Sequence, residues 1–106
     1  MGTGYYILDA DERPIEEPDL LTWARWMESH PHREVARDTA GEVLVSTVFL
    51  GLDHNLFGGP PILYETMVFG GPLDQEMDRY ATRDQAIAGH AAMLARVLAH
   101  TETSPP

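Results

Sequence analysis

The sequence predicts an α+β fold: an antiparallel sheet of four to five strands with two α-helices packed on one face. Three observations predict it. Residues 43–50 and 62–69 are apolar on both alternating faces, the pattern of central strands covered on each side or nearly so. Two other stretches carry helical periodicity behind clear start signals, at Asp19 and at Thr82. The order strand, helix, several strands, helix lacks the regular alternation of a parallel sheet, so the strands should pair antiparallel.

Each element has its own signal. Residues 4–8 are aromatic and β-branched and read as a short strand, followed by turn chemistry from Asp9 to Pro14. Asp19 is a good N-cap, and Leu20, Trp23, Ala24 and Met27 fall on one helical face, widened by Leu21 and Trp26. Trp23 belongs to the core on this reading and Trp26 to its margin, where it could stack on a partner. Pro31 stops the helix near Ser29 or His30. Residues 33–38 give a weak edge-strand signal, and Ala40-Gly41 a tight turn. The two central strands flank a long Gly- and Pro-rich loop, residues 51–61. Residues 77–80 suggest a last short strand. Thr82 and Gln85 have capping-box spacing, and Ile87, His90, Ala91, Leu94, Val97 and Leu98 form the expected inner stripe of the second helix. Residues 1–100 should form one domain, with 101–106 a disordered tail.

Composition narrows the function classes. The 106 residues include no cysteine, which excludes a disulfide framework and thiolate metal sites and suits a cytoplasmic protein. No apolar run approaches a membrane span and no secretory signal is visible. Seventeen acids against seven bases, all arginine, give a formal charge of -10, which argues against a nucleic-acid backbone or an anionic membrane as partner. The same charge suits an acidic surface that occupies a basic groove on another protein. Residues 9–19 concentrate it, with Asp9, Asp11, Glu12, Glu16, Glu17 and Asp19 against Arg13 alone.

One polar constellation interrupts the two central strands. Pairing Leu50 with Ile62 sets Ser46 opposite Thr66 and Thr47 opposite Glu65, so that Glu65 points where water is scarce. A buried carboxylate needs a partner, and His90 on the inner helix stripe is the candidate. A Glu65–His90 pair reads either as an acid–base site or as a polar tie between helix and sheet. Asp53, His54 and Asn55 sit in the long loop at the end of a core strand, where binding groups are often carried. Asp53 and His54 offer two metal ligands at most, His30 and His32 flank a proline in a turn, and Asp9, Asp11 and Glu12 lack the rest of a calcium loop. No metal or cofactor is therefore expected, and no nucleophile elbow or phosphate loop is present.

The run from Ser46 to His54 (STVFLGLDH), the run from Pro60 to Gly71 with its ETMVFGG, and the Ala88-Gly89-His90 triplet resemble a family of small bacteriophage and prophage proteins. The opening YYILD and the helix LTWARW are similar too, so the resemblance spans residues 4–98. It implies a protein made inside an infected or lysogenic bacterial cell and brings no activity with it. The expected function is a small acidic accessory protein that binds a host protein and inhibits a host defence system, of the anti-defence or anti-CRISPR type. The alternative is a small-ligand-binding protein or hydrolase built on Asp53, His54, Glu65 and His90. A third class is a homodimer or structural module joined through exposed edge strands.

Overall fold

The computed structural model describes residues 2–55 and 57–102. Its elements run β1 (Tyr6–Leu8), β2 (Pro14–Glu16), α1 (Leu20–Ser29), β3 (Glu34–Ala40), β4 (Val43–Phe49), β5 (Tyr64–Phe69), β6 (Met77–Tyr80) and α2 (Arg83–Glu102). β3 to β6 form a four-stranded antiparallel sheet in chain order, and β1 pairs with β2 in a separate hairpin. The fold is α+β, with a helix packed on an antiparallel sheet.

α2 runs across one face and contacts all four strands of that sheet. Alternation along β4 buries Val43, Val45, Thr47 and Phe49 beneath it, and β5 adds Tyr64, Thr66 and Val68. The helix contributes Ala86, His90, Met93 and Val97. The inner stripe is thus rotated from the one expected: Ile87, Ala91 and Leu98 face outward, while Ala86 and Met93 are buried. Thr82 and Gln85 form the expected capping box, with Gln85 N donating to Thr82 Oγ1 at 3.1 Å and Thr82 N to Gln85 Oε1 at 3.2 Å. α2 continues to Glu102, two residues into the segment expected as tail; residues 103–106 lie outside the described ones.

α1 sits at the end of the sheet. Asp19 Oδ2 accepts from Thr22 N at 3.0 Å, the N-cap bond its position predicts, and this bonding with Thr22 holds the Asp19 carboxyl below its usual range. The helix turns Trp23, Trp26 and Met27 inward. Trp23 stacks on Tyr5 and donates to Gly51 O at 2.8 Å, and Trp26 meets the Phe49 ring edge-on at 5.9 Å. Gly51 lies at this junction with φ 74°, and a Cβ there would stand 2.6 Å from the Met27 sulfur, so only glycine fits. β2 had no sequence signal, since three residues opening with Pro14 resemble a turn. Among the described residues no helix is long and apolar enough to cross a membrane.

Candidate functional site

The central pair is offset by one residue from the expected register. Thr47 lies opposite Thr66, and Val48 opposite Glu65. Because side chains alternate along a strand, that slip moves Glu65 to the other face of the sheet. The physical reason is burial cost. Thr66 can satisfy its hydroxyl beneath the helix, whereas Glu65 would bring a charge there.

The Glu65–His90 pair is therefore not formed. Glu65 accepts from Arg79 Nε at 3.0 Å on the face away from α2. His90 does face the sheet as expected, but with different partners. Its Nδ1 lies 2.7 Å from Thr47 Oγ1 and its Nε2 lies 2.8 Å from Asp38 Oδ2. Thr47 Oγ1 is 2.5 Å from Thr66 Oγ1, which accepts from the Tyr80 hydroxyl at 3.1 Å. A single chain of hydrogen bonds thus crosses all four strands, from Asp38 on β3 to Tyr80 on β6.

Proton counting gives the chain a direction. The Asp38 carboxylate accepts only, so His90 donates through Nε2; with the imidazole neutral, its Nδ1 accepts from the Thr47 hydroxyl. Thr47 then accepts from Thr66, and Thr66 from Tyr80. Every hydroxyl proton is used once. Burial pushes the Tyr80 hydroxyl up from its ordinary pKa, which keeps this donor protonated.

An Asp–His–Thr sequence has the letters of a nucleophilic triad, yet Thr47 is 0% exposed beneath α2. No substrate carbonyl can reach its oxygen, so the chain ties helix to sheet. Asp38 was missed by sequence reasoning because β3 is a weakly patterned edge strand. The usable signal was its place between Ala36 and Ala40 on the strand face that meets the helix. One buried polar atom stands outside this bonding: the Tyr64 hydroxyl has no hydrogen-bond partner among the described residues, and burial raises its pKa.

Asp53 and Asn55 organise the long loop. Asp53 Oδ1 accepts from Asn55 N at 2.8 Å and from Ile62 N at 2.9 Å. Asn55 Nδ2 donates to Gly58 O at 2.7 Å and Pro60 O at 2.8 Å, and its Oδ1 accepts from Phe57 N at 3.0 Å. These side chains shape the loop and leave Phe57 projecting at 96% exposure. His54 is half-buried, its backbone N bonded to Ile62 O at 3.0 Å. Trp26, a candidate for partner stacking, is instead half-buried between Phe49 and the ring of His30.

The loop stands beside the acidic hairpin. Tyr5 bridges to Leu52, and Asp53 N donates to Gly4 O at 2.9 Å. Between them lies a cleft of about 640 Å³ whose walls include Glu16, Asp53, Gly58 and Gly59. Asp11, Glu12 and Glu16 of the hairpin segment are exposed, as is Asp19 at the head of α1. Asp53, His54, Glu65 and His90 do not converge, since Glu65 and His90 occupy opposite faces of one sheet. No group of three or more metal-binding side chains exists among the described residues. Comparison of the chain with protein-family models, with curated proteins and with solved structures finds no match.

Proposed function

We propose that this chain acts by binding another protein, through the surface shared by the 51–61 loop and the acidic hairpin. The observation that carries the proposal is Phe57. Two polar side chains, Asp53 and Asn55, are committed to holding a loop whose apolar ring stands 96% exposed. With its backbone pre-set in this way, the residue loses little main-chain entropy on docking and makes an effective anchor. The neighbouring carboxylates, in a chain of formal charge -10, select a basic partner and speed the encounter.

The resemblance to phage and prophage proteins supplies the setting. The partner is then a protein of the bacterial host, met in its cytoplasm, and the role is that of an accessory factor that inhibits a host defence system. The test is capture from host lysate, identification of the bound protein by mass spectrometry, and titration of that purified partner. Phe57→Ala should weaken binding about thirtyfold, equivalent to about 2 kcal/mol, at an unchanged melting temperature. Affinity should also fall as salt rises. A partner that binds Phe57→Ala as tightly as the wild type, and equally at low and high salt, would contradict the proposal.

A further inference from the structure

The face of the sheet opposite α2 has no element against it among the described residues, for α2 lies on the other side and α1 packs on β1 and on Phe49, whose side chain is on the α2 side. Across it Leu44, Phe69, Met67 and Met77 adjoin one another, with Phe69 45% and Met77 40% exposed, and Thr39, Ser46 and Val48 share the face. An antiparallel sheet can leave one face to water, but that face then alternates to polar residues. On this one Leu44, Phe69, Met67 and Met77 adjoin as a continuous apolar patch among the polar residues, and we propose that a second copy of the chain covers it, face to face, in a two-fold sandwich.

Charge selects that occupant. A chain of formal charge -10 repels its own copies over most of its surface. The bare face carries Glu34 and Glu65 with Arg37 and Arg79, and so has no net charge. These four make one ion pair at either side of the apolar middle, Glu34–Arg37 at 4.0 Å and Glu65–Arg79 at 3.0 Å. A two-fold axis along the strands lays β4 of one copy over β5 of the other. Leu44 then stands against the partner's Phe69, Ser46 against the partner's Met67, Val48 against the partner's Glu65, which keeps its own Arg79, and Glu34 against the partner's Arg79. The contact is self-complementary, as a closed dimer requires.

Area sets the strength. Four strands about 4.8 Å apart, each presenting about six residues at about 3.3 Å rise, give a flat face of roughly 400 Å² per copy. Counting side-chain relief, the dimer buries on the order of 1,000 Å² in total, the low end for a specific interface. Interfaces of that size belong with the weak, transient ones. The dimer's salt response is opposite in sign to that of the partner-binding surface: screening relieves the mutual repulsion of two acidic chains, so salt strengthens the dimer.

The test is sedimentation equilibrium of the full chain from low micromolar to near-millimolar concentration, at low and high salt, for wild type, Phe69→Lys and Phe69→Leu. The expected result is a monomer–dimer equilibrium that tightens with salt, weakens at least about tenfold in Phe69→Lys at an unchanged melting temperature, and persists in Phe69→Leu. A monomer throughout would overturn the proposal, as would a dimer indifferent to Phe69→Lys. Loss of a captured host protein by Phe69→Lys, with no wild-type dimer, would assign the face to another protein and overturn it equally. None of these outcomes depends on Phe57, so the partner-binding proposal stands or fails separately.

Discussion

Thr47 has one hydroxyl proton, and its direction orders the chain from Tyr80 to Asp38. Replacing Thr47 with valine keeps the shape and removes the link, leaving both His90 Nδ1 and the Thr66 hydroxyl without this partner in a buried place. The expected cost is about 1 to 3 kcal/mol, read from chemical or thermal unfolding. Tyr64→Phe is the opposite case. It removes a buried hydroxyl that has no partner, so stability should hold or rise by up to about 1 kcal/mol. Equal losses from both substitutions would show that the hydroxyls are not distinguished by their bonds. His90 was legible as a residue facing the sheet, because apolar neighbours surround it at helical spacing. Its partner was not, because the two faces of residues 62–69 differ little in apolar content and one step of register exchanges Glu65 for Thr66. Asp53 and Asn55 were recognisable as loop residues of consequence, yet their role is to shape the backbone around Phe57.

The elements divide by how much their local chemistry says. α2 announced its start through Thr82 and Gln85, and α1 through Asp19, since capping is local and needs no tertiary partner. The buried stripe of α2 was harder to place: alanine and glycine on both sides blur the periodicity, and the inner stripe is set by what the sheet offers. Gly89 shows this directly. In an isolated helix, alanine would be favoured there by about 1 kcal/mol. In the folded protein a Cβ at Gly89 would fall 2.2 Å from the Tyr80 ring. That ring cannot swing aside without breaking its bond to Thr66. Gly89→Ala should therefore destabilise by about 1 to 2 kcal/mol despite its better propensity, since overpacking outweighs it. A raised melting temperature would mean that Tyr80 does not press on the helix. β2 stayed hidden for the reverse reason: three residues have no periodicity to read, and only pairing with β1 makes them a strand.

At the scale of the molecule, the two sides of the four-stranded sheet differ in kind. One side is closed by α2 over a fully bonded polar chain and two apolar clusters. The other bears apolar side chains and balanced charge with no cover among the described residues, while the carboxylates gather on the hairpin beside the Phe57 loop. Composition foretold an acidic molecule. It could not foretell a bare face, because strands apolar on both sides read as strands covered on both sides. Methionine methyl groups report on the two sides directly, with Met93 2% exposed under the helix and Met77 40% exposed on the open side. The decisive measurement is methyl NMR with a soluble paramagnetic agent at low micromolar protein concentration. The Met77 methyl should broaden strongly, Met67 in part, and Met93 not at all. Protection of both Met67 and Met77 in the monomer, or broadening of Met93, would contradict a sheet with one buried and one uncovered face.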